Sequence, residues 1–107
     1  MQNLEVQMNQ NPIARVESDL ESLIPSFLNN RKKDIVDLRA YVATSDFKNM
    51  ERIGHILKGV SASYGFEKLG EYGARLETSA KAQLGSDCGE IVELIAIYMR
   101  DVVVVYE

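Results

Sequence analysis

Apolar residues recur at steps of three and four positions along four successive segments of this chain, and this spacing constrains the fold more than any other feature. It is the period of one face of an α-helix. The segments cover residues 20–44, 47–64, 67–84 and about 87–105. Each has one apolar stripe and a polar remainder, so each helix must bury one side against its neighbours. We predict an all-α fold: an antiparallel up-down four-helix bundle with a short N-terminal extension or extra helix.

Residues at the segment ends define the predicted helices further. Pro25 either begins the first helix at its first turn or kinks it. A short preliminary helix over residues 16–24 is a further expectation for this region. Ser45 or Asp46 is the expected N-cap of the second helix, and Gly65 is its expected C-cap. The predicted stripes contain, in chain order, Leu20, Leu23, Ile24, Phe27, Leu28, Ile35, Leu38 and Val42; Met50, Ile53, Leu57, Val60 and Tyr64; Leu69, Tyr72, Leu76 and Ala80; and Ile91, Leu94, Ile95, Tyr98, Val102 and Val105.

The end of the fourth segment is the least helical part of this pattern. Gly85 is expected to end the third helix, and the fourth begins near Asp87 or Cys88. Residues 102–105 are all valine, and β-branched residues lose rotamer freedom in a helix. No other segment has the pattern of a strand, however, and a lone strand cannot complete a sheet. We therefore predict that the fourth helix continues to about residue 105 and frays toward Glu107.

The length and the residue pattern fit a single domain. The chain has 107 residues, of which residues 1–12 are expected to form a flexible N-terminal arm and residues 13–107 the helical domain. The longest apolar run, Leu94 to Met99, is far shorter than the ~20 residues of a membrane-spanning helix. The polar stretch over residues 1–15 does not fit a secretory signal. A single cysteine, Cys88, excludes an internal disulfide and a Cys-based zinc cluster. We expect a cytoplasmic protein.

The charge of the chain bears on its partners. The formal net charge is -4, whereas nucleic acids and anionic membranes call for a basic face. We expect neither kind of partner, and the charge gives no reason to expect anything beyond a monomer. The sequence has no glycine-rich phosphate loop and no room for a kinase domain, so no ATP site is expected. We expect no metal and no cofactor.

His55 is the only histidine of the chain, so its position on the second predicted helix is informative. On a helical wheel, Lys48, Glu51, Gly59 and Ala62 lie within about 40° of it, and the apolar stripe lies at the opposite pole. A solvated surface histidine is the simplest interpretation. A metal site or a hydrolytic triad has little support, because there is no second histidine and no recognisable nucleophile.

The neighbours of His55 give it an unusual setting. Gly54 and Gly59 flank it, although glycine inside a helix costs about 1 kcal/mol relative to alanine. Bare backbone of this kind lets another surface approach closely. Lys58, at i+3, can swing its ammonium toward the imidazole and attract an anion built on that ring. The alternative for Lys58 is an ordinary solvated lysine.

The third predicted helix carries a second strip of small residues, including Gly70 and Gly73. These residues would let it approach the second helix. Glu77 could then accept a hydrogen bond from Nδ1 of His55, which would fix the tautomer and leave Nε2 with its lone pair facing outward. The alternative is that Glu77 is a surface residue paired with Lys81 at i+4.

These residues match a family pattern. The matching stretches are Gly54-His55-Ile56-Leu57-Lys58-Gly59-Val60-Ser61, Tyr64-Gly65-Phe66-Glu67-Lys68-Leu69 and Leu76-Glu77. Together they resemble the histidine-containing phosphotransfer (HPt) domain of two-component phosphorelay systems, in its stand-alone bacterial type. One departure is Gly54, which replaces the alanine or aliphatic residue that commonly precedes the histidine.

The resemblance implies roles for residues at matching positions. His55 would be the phosphoacceptor through Nε2, Lys58 would stabilise the phosphoryl oxygens, and Glu77 would hold Nδ1. Lys81 stands where some members carry a second cation. The residues expected to meet the docking partner are Gly59, Ala62, Arg52 and Lys81.

The resemblance also implies a phosphorelay intermediate rather than an autonomous enzyme. His55 would accept a phosphoryl group from a receiver-domain aspartate and transfer it to another receiver domain. The partners would be response-regulator receiver domains, a hybrid histidine kinase, or both, with Mg²⁺ bound to the receiver. One alternative is a non-catalytic helical module that binds signalling partners. Another is a bundle that self-associates through an exposed apolar strip of the last helix, at Val103 and Val104.

Overall fold

The computed structural model describes residues 11–107 of the chain. Four α-helices pack together: α1 (Ile24–Ala43), α2 (Phe47–Ser63), α3 (Glu67–Lys81) and α4 (Gly85–Asp101). The predicted four-helix bundle is therefore confirmed. A short helix precedes α1 within the residues 16–24 expected for it, and it is a 3-10 helix, Ser18–Leu23.

The ends of the first two helices follow from local chemistry. Pro25 lies in the first turn of α1, where a missing N–H costs nothing, and so it begins the helix rather than kinking it. Asp46 is the N-cap of α2, because its side chain accepts a hydrogen bond from the backbone N–H of Asn49 at 3.2 Å. After α2, Gly65 has a φ of 92°, a left-handed conformation that suits glycine.

The boundary between α3 and α4 differs from the prediction. α3 ends at Lys81, and Gly85 begins α4 instead of ending α3. Gln83 makes the turn in a left-handed conformation, with a φ of 57°. The N–H of Leu84 then bonds to the carbonyl of Ser79 at 3.0 Å, which closes the end of the helix. A glutamine at such a position gives no sequence signal.

Most residues of the predicted stripes face one another and form a single core, whereas Leu23 and Val105 are exposed. α2 and α3 make the most extensive helix–helix contact. Phe27 of α1 stacks on Phe66, between α2 and α3, with ring centroids 4.7 Å apart. The fully buried large side chains of the core include Ile24, Leu38, Met50, Leu57, Phe66, Leu69, Leu76 and Ile95.

The helix prediction for residues 102–105 is wrong. α4 ends at Asp101, and the strand β2 (Val103–Tyr106) pairs in parallel with the strand β1 (Ile13–Val16). The register places Ile13 opposite Val103, so the start of the described chain lies beside its end. The four valines suit this extended pairing. The partner strand, β1, has only four residues and no distinct pattern in the sequence.

The sheet also changes two other expectations. The carbonyl of Pro12 accepts a hydrogen bond from the N–H of Val103 at 2.8 Å, so this end of the expected N-terminal arm is held against β2. Residues 1–10 of that arm lie outside the described residues. The apolar strip expected on the last helix lies on β2 instead, where Val103 is exposed and Val104 is half-buried against the core.

Candidate functional site

The exposed side of α2 presents the predicted site residues to solvent. The His55 side chain is 68% exposed and that of Lys58 is 48% exposed. They lie three residues apart, so both project from the same face of the helix. Gly59, one residue further, has open space where a Cβ would stand. The imidazole is therefore accessible to another molecule.

The Glu77 side chain reaches His55 from α3. Its Oε2 lies 2.7 Å from Nδ1 of His55, the contact that the sequence predicted. Glu77 is ionised near neutral pH, so its oxygen accepts and Nδ1 carries the proton. In the neutral ring the lone pair is then on Nε2, the nitrogen that does not contact Glu77. The site thus holds one tautomer of a solvent-exposed imidazole.

Lys58 binds the other oxygen of the same carboxylate. Its Nζ donates to Oε1 of Glu77 at 3.1 Å. The hydrogen bonds from Lys58 and from His55 hold the pKa of the Glu77 carboxyl below its ordinary value of 4.5. Among residues 11–107 no ion pair joins Glu77 to Lys81, so the alternative pairing on α3 is wrong.

A close crossing of α2 and α3 brings Glu77 within reach of His55. Gly54 and Gly73 are buried at this crossing, where each lies against the backbone of the other helix. The sequence indicated close approach from the small residues of α3. It did not indicate that Gly54 faces α3, since a glycine next to His55 also fits the bare strip of the exposed face.

An open groove of about 550 Å³ adjoins the imidazole. Arg52 lines it, whereas the other three residues expected to meet a partner do not. Gly59 and Ala62 are exposed further along α2, and Lys81 is exposed at the end of α3.

The predicted site residues include three that line the groove, and the sequence did not indicate a role for the others, among them an exposed apolar residue. Ile56 lines the groove and is 42% exposed. The available signal was its position: it is an aliphatic residue next to His55 and outside the apolar stripe of α2. An exposed apolar side chain beside a reactive group suits contact with another protein.

Comparison with protein families decides the identity of the fold and its general role. The family model of the Hpt domain matches residues 7–103, which is nearly the whole chain. The chain belongs to the Hpt domain family. No curated protein and no solved structure gives a significant match to it.

Membership of the Hpt family gives the general function. The chain has a histidine-containing phosphotransfer role in a phosphorelay, and Hpt domains interact there with receiver domains and kinases. None of the helices in residues 11–107 combines the length and the apolar character needed to cross a membrane. The same residues contain no group of three or more His, Cys, Asp or Glu side chains placed to hold a metal ion.

Proposed function

We propose that His55 accepts a phosphoryl group on Nε2 from the aspartyl phosphate of one receiver domain and passes it to the aspartate of another. The observation that carries this proposal is the geometry of the ring. His55 is the only histidine, its side chain is 68% exposed, and its Nδ1 is held 2.7 Å from a carboxylate. A surface histidine without a function would not need a largely buried carboxylate, such as that of Glu77, to fix its tautomer.

The chemistry divides between this chain and the receiver. The Nε2 lone pair forms the new bond to phosphorus, while the bond from phosphorus to the aspartyl oxygen breaks and the electron pair leaves with the carboxylate. Transfer of this kind passes through a loose, in-line transition state with charge on the equatorial oxygens. The receiver supplies the aspartyl phosphate and its Mg²⁺.

Glu77 has an electrostatic role in the proposed step. As Nε2 bonds to phosphorus while Nδ1 keeps its proton, positive charge develops on the ring. The carboxylate 2.7 Å away stabilises that charge and keeps the ring oriented. Because this contact acts on the ring and not on either aspartate, it is the same whichever receiver domain is bound.

Lys58 and the surrounding surface complete the proposal. Lys58 and the ring contact the same Glu77 carboxylate, so the ammonium can turn from Oε1 toward phosphoryl oxygens at Nε2. Gly59 and Ala62 would let the receiver approach the backbone of α2, and Arg52 and Lys81 would face its anionic aspartyl phosphate. Ile56 adds an apolar contact in the groove. The cytoplasmic location and the monomeric state stay predictions.

The deciding experiment is phosphotransfer from a panel of receivers. Each receiver domain encoded in the same genome is phosphorylated with radioactive phosphate, repurified and mixed with the protein. We expect an acid-labile, base-stable label on the wild type and no label on His55→Gln. Asn30→Gln, an exposed change on α1, is the matched control and should be labelled normally. Absence of label on the wild type with every receiver would contradict the proposal; binding without label would favour the non-catalytic module.

A further inference from the structure

The backbone of Gly54 lies directly against the backbone of Glu77. A Cβ built on Gly54 would stand 2.7 Å from the amide nitrogen of Glu77 and 3.1 Å from its Cα. It would also stand 2.9 Å from the carbonyl oxygen of Gly73. All three atoms belong to the main chain of α3, so no side-chain rotation could make room. Any side chain at position 54 must move the helix itself.

The contact is reciprocal across the two helices. A Cβ built on Gly73 would stand 2.6 Å from the amide nitrogen of Lys58 and 2.9 Å from the carbonyl oxygen of Gly54. Gly70, one turn earlier on α3, is less constrained, because its nearest neighbour would be the Lys58 carbonyl oxygen at 3.5 Å. The tightest part of the crossing therefore lies at Gly54 and Gly73.

This crossing lies next to the atoms that form the site. Gly54 immediately precedes His55, and its closest neighbour is the main chain of Glu77 itself. Ordinary van der Waals contact begins at 3.4 Å, so an alanine at position 54 would push Glu77 away by roughly 0.7 Å. The distance from Oε2 of Glu77 to Nδ1 of His55, now 2.7 Å, would then exceed that of a strong hydrogen bond.

We propose that Gly54 is a positioning residue: its missing side chain lets Glu77 approach α2 closely enough to hold Nδ1 of His55. The residue acts through Glu77 and does not itself touch the phosphoryl group. The consequence for transfer rests on the proposed function of His55, whereas the consequence for the hydrogen bond does not. Glycine is a poor helix former, and the family commonly has alanine or an aliphatic residue at this position, so the need for glycine here comes from the close crossing of α2 and α3 in this chain.

The test compares Gly54→Ala with Gly89→Ala, a glycine-to-alanine change inside α4. A Cβ at Gly89 would lie 3.6 Å from the side chain of Val42, which is an ordinary contact. The His55 ring is observed by ¹⁵N–¹H NMR of the unphosphorylated protein, and transfer is followed with a receiver that labels the wild type. In Gly54→Ala we expect loss of the hydrogen-bonded Nδ1–H signal and a transfer rate lower by about tenfold or more. Gly89→Ala should match the wild type in both.

A double-mutant cycle separates positioning from a general effect on structure. In a Glu77→Ala background, Gly54→Ala should cause no further loss of transfer rate, because the partner that it displaces is already absent. Further loss of similar size in that background would overturn the proposal. Retention of the Nδ1–H signal and of the wild-type rate in a folded Gly54→Ala protein would also overturn it.

A second pair of variants covers the case in which Gly54→Ala does not fold. Gly70→Ala fits the crossing, whereas the branched side chain of Gly70→Val presses on the backbone near Lys58 and Ala62. We expect the Nδ1–H signal to weaken in Gly70→Val relative to Gly70→Ala, and equal signals would overturn the proposal. Because the NMR signal needs no phosphoryl donor, a failure of this inference is distinguishable from a failure of the proposed phosphotransfer.

Discussion

The ammonium of Lys58 lies 3.1 Å from Oε1 of Glu77, so this cation already has an anionic partner in the unphosphorylated protein. A phosphoryl group on His55 would compete with Glu77 for it. The competition is between two anions at a half-exposed lysine, where single ion pairs contribute up to about 1 kcal/mol. Because Glu77 binds both groups, the position of the Lys58 ammonium depends on whether His55 is phosphorylated.

Replacement of Lys58 should affect transfer and not folding. Lys58→Ala removes the cation from the phosphoryl oxygens, and we expect a rate of transfer, or a lifetime of phosphohistidine, lower by about three- to tenfold. The melting temperature should change little because the side chain is half-exposed. Lys33→Ala, an exposed change on α1, is the matched control. Unchanged rate and lifetime in Lys58→Ala would count against its role.

Acid should weaken the link between α2 and α3. Hydrogen bonds from Lys58 and His55 lower the pKa of Glu77 in the folded protein below 4.5. A carboxyl of this kind contributes stability above its unfolded pKa, and the contribution is lost as pH falls through the folded pKa. We expect wild type to be more stable than Glu77→Gln at pH 7, with the difference shrinking below about pH 4.5. Thermal unfolding of both proteins from pH 7 to pH 3 measures this, and a difference independent of pH would contradict it.

Much of the site could be predicted because it depends on helical spacing. The polar face around His55 and the approach of Glu77 both follow from residue positions along two amphipathic helices. The helix–helix contact at Gly54 did not follow, because a glycine beside a functional residue fits either an open face or a close crossing. Only the packing of α3 distinguishes the two.

The sheet could not be predicted for a different reason. The strand β1 has four residues, and its partner β2 lies at the other end of the sequence, with Ile13 opposite Val103. Its two buried residues, Ala14 and Val16, are too few for a periodic signal. Pairing between such short and distant strands depends on the bundle that brings the ends of the domain together, which local sequence patterns do not contain.

Bulk at Gly59 should separate stability from receiver binding. A Cβ there meets nothing within 4 Å. Because alanine and leucine are better helix formers than glycine, Gly59→Ala and Gly59→Leu should both raise the free energy of unfolding by up to about 1 kcal/mol, and with it the melting temperature. We expect Gly59→Leu to weaken receiver binding at least fivefold, with Gly59→Ala close to wild type. Calorimetric titration with the receiver and thermal unfolding measure the two effects. Unaltered affinity in Gly59→Leu would mean that the receiver docks elsewhere.

Gly65 connects the end of α2 to the sheet, and its replacement should be costly. Its φ of 92° is unfavourable for other residues, and a Cβ would clash with the carbonyl oxygen of Arg15 in β1. We expect Gly65→Ala to lower the free energy of unfolding by about 2 kcal/mol or more. Gly85→Ala, where a Cβ would lie 3.7 Å from the Phe47 ring, should change it by less than about 1 kcal/mol. Similar losses in the two variants, measured by urea denaturation, would contradict the special role of the turn.

Two prolines can test whether the parallel strand pairing stabilises the domain. The N–H of Val103 donates to the carbonyl of Pro12 at 2.8 Å, and that of Glu107 donates to Val16 at 2.9 Å. Because N–H groups alternate in direction along a strand, and those of Val103 and Glu107 point toward β1, the N–H of Val104 points away from β1. Proline removes one N–H and is tolerated where that group does not serve the ladder.

Val103→Pro should therefore destabilise the domain by about 1 kcal/mol more than Val104→Pro, the value of one ladder hydrogen bond. Both variants introduce the same fixed φ in β2, so the difference compares the donor lost in Val103→Pro with the packing lost in Val104→Pro. Urea denaturation measures the free energies, and hydrogen exchange at Glu107 reports local opening of the sheet. If Val104→Pro is the more damaging of the two, packing of the half-buried Val104 side chain contributes more to stability than the strand pairing does.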